Sequence, residues 1–140
     1  GHVGRTVLSQ LLALHDARVR VVGVADSTGY RYAADGFDAA SLSTLIADKA
    51  AGVSVGSAAT TDVARLIGAV VARSGASRIV IDATATDTTP LLLQALAGGC
   101  DIVLANKVPL VGSRDALRAL YDAAAIHGRQ IRHEATVGAG

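Results

Sequence analysis

The feature that most constrains this chain is an alternation. Short valine- and isoleucine-rich runs, each leading into Asp or Asn and then small polar residues, are separated by longer stretches of helical period. Val19-Arg-Val-Val-Gly-Val-Ala25, Arg78-Ile-Val-Ile-Asp82 and Asp101-Ile-Val-Leu-Ala105 are the clearest runs. β-branched runs bounded by turn residues read as strands, and strands alternating with helices predict βαβ units around a mainly parallel sheet. The expected fold class is α/β: a Rossmann-like, doubly wound parallel sheet.

Between the strands, Val3 to Leu14 reads as a helix with Val7, Leu8, Leu11, Leu12 and Leu14 toward one face. Residues 27–40 read as a polar, glycine-containing loop. Ser41 to Ala51 is expected to be helical, burying Leu42, Leu45 and Ile46, and Val53 to Val55 a short strand. Asp62 to Arg73 reads as a helix stopped by Ser74-Gly75. The continuous apolar run of Arg78 to Asp82 predicts a strand buried on both faces. Thr88-Thr89-Pro90 opens the next helix, Leu91 to Ala97, with a hydroxyl cap and a proline where a missing N–H costs nothing. Ser113 to Ile126 follows with Leu117, Leu120 and Tyr121 inward. A last strand, Arg129 to Ala135, is expected to run into Gly138 and Gly140.

Composition removes other classes. With 51% hydrophobic and 18% charged residues the chain is too apolar for disorder. No apolar run approaches the ~18 residues of a membrane span. A net charge of +1, with three tyrosines and one phenylalanine, offers neither a field nor stacking platforms for nucleic acid. The lone Cys100 cannot close an intramolecular disulfide, so a reduced, cytoplasmic setting is expected. Histidines 2, 15, 127 and 133 show no ligand spacing with Cys100, which argues against zinc.

Four short motifs carry chemistry. Gly1-His2-Val3-Gly4-Arg5, just before a helix, fits the second half of a G-x-G-x-x-G dinucleotide fingerprint. Its alternative is a terminus with incidental glycines. Asp26 closes a strand about 20 residues further on, where an acidic residue accepts from adenosine ribose hydroxyls; spacing and context favour that role over its alternative, a cap for the Ser27-Thr28-Gly29 turn. On this reading the first strand and first glycine of the fingerprint precede Gly1, and the chain is expected to be cut there. The segment Asp82-Ala-Thr-Ala-Thr-Asp87 leaves its strand with small residues and hydroxyls, so that a ribose or nicotinamide can lie against the backbone. In Ala105-Asn106-Lys107-Val108-Pro109, a lysine suits carbonyl polarisation and a neutral Asn an amide, although a surface lysine is ordinarily just solvated. Finally, His133-Glu134 leads into a glycine-rich turn whose carboxylate and carbonyls suit a hard cation or form a hinge. His133 and Glu134 point to opposite faces of a strand and do not share a metal.

Taken in order, these motifs resemble the cofactor-binding domain of homoserine dehydrogenase, from Gly1 to Gly140. Glu134-Ala-Thr-Val-Gly-Ala-Gly140 and Ala105-Asn106-Lys107 with Pro109-Leu110 are the most specific pieces. Val24-Ala25-Asp26-Ser27-Thr28-Gly29 and Gly1-His2-Val3-Gly4-Arg5 agree with them. The resemblance implies NAD- or NADP-dependent interconversion of L-homoserine and L-aspartate 4-semialdehyde, on the route to threonine and methionine. It implies Gly1, His2, Val3 and Gly4 at the pyrophosphate and Asp26 and Ser27 at the adenosine ribose. Asp26 would repel the 2′-phosphate of NADP unless a cation offsets it, and Arg31, in the same loop, and Lys49 are the cations available. Thr84 would face the nicotinamide half. Asn106 and Lys107 would border the cofactor, with Lys107 tied to catalysis. Glu134 with the carbonyls of Val137 and Ala139 would hold a monovalent cation, sodium. A substrate domain is expected beyond Gly140, without which the chain should not turn over. The full-length protein is expected to be a homo-oligomer with a small-molecule substrate, contacting neither nucleic acid nor membrane. An S-adenosylmethionine-dependent methyltransferase shares the glycine turn and strand-end acid but does not call for Asn106-Lys107 or the Glu134 turn. A nucleotide-sensing module without chemistry shares the fold and differs in lacking a substrate domain with lysine and acidic side chains after Gly140.

Overall fold

In the computed structural model, which describes residues 1–14, 18–75 and 77–133, the alternation becomes a mixed α/β architecture with a three-stranded parallel sheet flanked by helices, a Rossmann-like arrangement. The chain divides into two compact units, Gly1–Leu66 and Ile67–Gly140.

The first unit opens with helix α1, His2–Leu14, followed by strands β1, Gly23–Asp26, and β2, Gly29–Tyr32, and helix α2, Ala39–Ala50. β1 and β2 form an antiparallel hairpin in the register Asp26↔Gly29 and Gly23↔Tyr32. The segment 27–40 is therefore not all loop. Ser27-Thr28 is a two-residue turn, Gly29 supplies a φ of 137°, and Tyr30-Arg31-Tyr32 continues as strand, as alternating aromatics favour. The Val19 run enters β structure only at Gly23. Asp38 caps α2 by accepting from the amide of Ser41 at 2.7 Å, and α2 buries Leu42 and Leu45 while Ile46 is half-buried. No residue of α1 is buried. α2 is its main packing neighbour, and one helix covers only part of a leucine stripe.

Val53 to Val55 is not a strand, because the Val53 amide turns back to the Asp48 carbonyl at 2.8 Å and the polar groups of Val55 go to side chains instead of a ladder. The Val55 amide donates to Asp26 at 3.2 Å and its carbonyl accepts from Arg31 Nε at 2.9 Å. A 3-10 turn, Ala58–Thr60, precedes helix α3, Val63–Val71, within which the division between units falls. Gly29 and Gly56 meet backbone to backbone: a Cβ added to Gly56 would lie 2.4 Å from Gly29 Cα.

The second unit continues with β3, Arg78–Asp82; α4, Thr89–Ala97; β4, Cys100–Leu104; α5, Val108–Val111; α6, Arg114–Ile126; and β5, Ile131–Arg132. The sheet order is β3-β4-β5, all parallel. Leu92, Leu96, Ile102, Leu104 and Leu120 are fully buried and make the core. Ser113 caps α6 through the amide of Ala116 at 3.1 Å. Tyr121, expected inward, is 42% exposed, and helical drift leaves Leu120 and Ala124 as the buried seam. β3 also departs from expectation: Ile79 and Ile81 are 59% and 43% exposed. α4 packs on β4 and on α6, so within this unit the helices cover one face of the sheet. The short helix α5, with Pro109 in its first turn, follows directly on Lys107.

Candidate functional site

In each unit a strand ends on an aspartate followed two residues later by a threonine, and at each the polar groups converge. In the first unit, Asp26 Oδ1 accepts from the amide of Thr28 at 2.8 Å and from its hydroxyl at 2.5 Å. Its Oδ2 accepts from Lys49 Nζ at 2.6 Å and from the Val55 amide. The carboxylate side chain is only 12% exposed. Burial pushes its pKa up, but Lys49, Thr28 and the two amides outweigh that and hold the carboxyl well below the usual range. An ionised carboxylate has about four acceptor sites, and all four are filled by the protein. The turn-capping role of Asp26 is thus present in the structure. A ribose hydroxyl reaches Asp26 only if the Thr28 hydroxyl or Lys49 yields.

Around it, Ser27 is exposed at the hairpin tip, and Arg31 is exposed with Nε on the Val55 carbonyl. Lys49, from the last turn of α2, brings a cation to the carboxylate across the unit. At α1 the amide of Arg5 closes the first helical rung on the Gly1 carbonyl at 3.2 Å. The amides of His2, Val3 and Gly4 precede that rung, and no acidic residue stands in the first turn. Such a helix start suits an anion in both donors and dipole.

In the second unit the parallel register Asp82↔Leu104 puts the carboxyl ends of β3 and β4 side by side, where open α/β sheets place ligands. Asp82 is buried, and its carboxylate accepts from the Thr84 amide at 3.0 Å, the Thr88 hydroxyl at 2.5 Å and Asn106 Nδ2 at 3.0 Å. Asn106 is 1% exposed. Its Nδ2 also reaches Thr84 Oγ1 at 3.0 Å and the Thr86 carbonyl at 2.8 Å, and its Oδ1 accepts from the Val108 amide at 3.0 Å. The residue read from sequence as a partner for a ligand amide therefore lies beneath the loop, satisfied by protein. Thr84 and Lys107 are exposed above it. Because Thr84 Oγ1 accepts from Asn106, its own proton is left to donate outward.

Each unit by itself thus presents polar groups at a strand end: the first an acidic strand end and an anion-suited helix start, the second a loop of small residues and hydroxyls beside a lysine. A family model for the homoserine dehydrogenase NAD-binding domain matches residues 1–134. The chain belongs to this family. It is also similar to the crystal structure of homoserine dehydrogenase from Thermoplasma acidophilum, at 25% identity and a TM-score of 0.70. That match takes in 100% of this chain but only 42% of the other. No curated protein matches the sequence.

Thr88, expected from sequence to cap the next helix, makes no side-chain cap and gives its hydroxyl to Asp82 instead, and Asp82 reads from sequence only as the first residue of its segment. The signal for them was available, since Asp82-Ala83-Thr84 repeats the Asp26-Ser27-Thr28 pattern of a strand-end aspartate that caps its own turn. Glu134, Val137 and Ala139, read as cation ligands, lie outside the described residues. Among the described residues no three His, Cys, Asp or Glu side chains cluster to hold a metal, and no helix is long and apolar enough to cross a membrane.

Proposed function

We propose that this chain is the cofactor-binding part of a homoserine dehydrogenase that interconverts L-homoserine and L-aspartate 4-semialdehyde with NAD or NADP. The observation that carries the reading is the family match over residues 1–134, supported by an exposed Lys107 beside the carboxyl ends of two parallel strands. When bound, a nicotinamide supplies the hydride acceptor for the carbinol carbon, and the hydroxyl proton leaves as the aldehyde forms. On this reading Lys107 Nζ holds or polarises that oxygen. The amides of His2, Val3 and Gly4 hold the pyrophosphate, Asp26 and Ser27 border the adenosine ribose, and the Thr84 hydroxyl donates to the nicotinamide half. Asn106 supports the loop from below. Sodium at Glu134 and the carbonyls of Val137 and Ala139 belongs to the same proposal, as does function in threonine and methionine synthesis in the cytoplasm by a homo-oligomer.

The experiment is homoserine-dependent reduction of NAD and NADP by the intact protein, with Lys107→Ala beside it. The variant should lose about 10²–10⁴-fold in kcat/KM, as for other acid–base or polarising groups, while cofactor affinity changes far less. A variant with wild-type kcat/KM refutes the role of Lys107, and an intact protein inactive on homoserine refutes the reading.

Dual cofactor use is supported by the Asp26–Lys49 pair. A bare aspartate repels a 2′-phosphate, but here the carboxylate already faces an ammonium at 2.6 Å, and Arg31 stands exposed on the adjoining strand. Arg31→Ala should weaken NADPH by about 1.5–3 kcal/mol, the loss of one charge-assisted hydrogen bond, and NADH much less. Equal losses for the two cofactors would show that Arg31 never meets the phosphate.

A further inference from the structure

We propose that Asn106 is a positioning residue: its buried amide couples the 83–88 loop to the backbone of Lys107 and so fixes where the lysine starts. The proposal deepens the reading above and rests on it for the chemical role of Lys107, though not for the coupling itself.

The geometry assigns each end of the amide a different task. The Nδ2 hydrogens are shared among Asp82 Oδ2, Thr84 Oγ1 and the Thr86 carbonyl, with Thr88 Oγ1 at 3.4 Å. Every one of these lies at the end of β3 or in the loop that follows it. The Oδ1 faces the other way and takes the amide of Val108, the first residue of α5. Lys107 sits between the two. The peptide units before it are pinned as well, since the amides of Ala105 and Asn106 both donate to the Asp82 carbonyl, at 2.8 and 3.1 Å. On its far side the Lys107 carbonyl accepts from Leu110 and Val111 at 3.0 and 3.1 Å.

Only a primary amide does this in so small a volume. Aspartate at position 106 accepts but cannot donate to Asp82, and serine can cap Val108 but cannot reach the loop. A leucine would take one of three donors from the Asp82 carboxylate and remove the side-chain partner of the Thr86 carbonyl and the Val108 amide. Reacting groups displaced by about 1 Å lose on the order of 10² in rate, which makes a rigid base for a long, exposed lysine worth building.

The first test needs no cofactor and no activity. In the intact protein, Asp82→Ala should accelerate hydrogen exchange at Val108, Leu110 and Val111 by about tenfold, the mark of ~1.4 kcal/mol of lost local stability. The amides of Ile102 and Leu104 should lose protection only by the factor that urea unfolding of the same variant gives for its global stability. Should that variant fail to fold, Thr88→Val removes a single hydroxyl from the same cluster and is read in the same way. Unchanged exchange over 108–111 in the folded variant overturns the coupling. The second test is kinetic. Asn106→Ser should lower kcat by about 10²-fold with the KM for the cofactor held within about threefold. A loss carried by KM alone would assign Asn106 to cofactor binding and overturn its positioning role. Asn106→Asp should be worse, since it sets two carboxylates against each other, and adding Asp82→Asn restores one donor and one acceptor. That pair should regain about tenfold of the lost kcat, and no recovery overturns the pairing. If the intact protein does not act on homoserine, the proposed function falls while the exchange result still decides the coupling.

Discussion

Asp26 and Asp82 begin from the same local chemistry and end in different electrostatic states. Each closes a strand, and each caps its own turn through the amide two residues on. Each also takes a threonine hydroxyl. Asp26 is then completed by a cation, Lys49, from a helix remote in sequence, whereas Asp82 is completed by a neutral amide, Asn106. The first hub is a charge pair near the surface, sensitive to salt and pH. The second is buried and depends on shape and on every donor being present. A strand-end aspartate is therefore not one device, and what completes its hydrogen bonds decides which conditions disturb it.

The comparison can be broken most forcefully at Asp82. Asp82→Ala removes the acceptor for three donors, one of them the buried Asn106 amide, and should destabilise the protein by about 3 kcal/mol or more. Urea unfolding followed by circular dichroism measures it, and a loss near that of an exposed aspartate would abolish the distinction. Lys49→Met should cost less, about 1–2 kcal/mol. It should also remove most of the salt dependence of stability, whereas Thr88→Val leaves that dependence intact.

The same Asp26 hub sets an acid response. Because its folded-state pKa lies below the ordinary value of 3.8, the stability it adds is complete above that value and is lost as pH falls below it. Asp38 and Asp87, exposed and held down by hydrogen bonds from Ser41 and Thr89, act in the same direction. Asp26→Asn should flatten the stability curve below about pH 4. An unchanged curve would mean that the Lys49 pair does not persist in solution. At the small end, Arg118→Ala breaks an exposed pair with Asp122 at 3.5 Å and should shift stability by no more than about 0.5 kcal/mol.

Much of this was legible in the sequence because period and punctuation agreed. The strand over Arg78–Asp82 and the helix beginning after Ser113 fall where apolar runs and caps place them. The hairpin was not, since Gly29-Tyr30-Arg31-Tyr32 follows a polar turn cluster that reads as the start of a loop, and its closure depends on the distant Val55 and Gly56. Exposure of Ile79 and Ile81 was not legible either, because a continuous apolar run does not say how many faces its neighbours cover. Among site residues, Lys107 and Asp26 were marked by position at strand ends. That the Asn106 amide turns inward was hidden, since its partners at Asp82, Thr84 and Thr86 are adjacent only once the two strands pair in register.

The contact between Gly29 and Gly56 bears on the order in which this chain folds. A two-residue hairpin closes in roughly 1–10 μs when its own turn suffices. Here the turn residue Gly29 sits at a φ that side chains rarely adopt, and a Cβ on it would strike the Thr60 carbonyl. The groups that hold the turn, the Val55 amide and Lys49, lie 29 and 23 residues from Asp26. A segment that is local on the page should thus be non-local in time: the bonds from Thr28 to Asp26 can close early, but β1 and β2 should reach full stability only after α2 has formed and the chain has returned through Gly56. Substitutions at Gly56, which lies in neither strand, should therefore slow the appearance of the hairpin as much as substitutions within it.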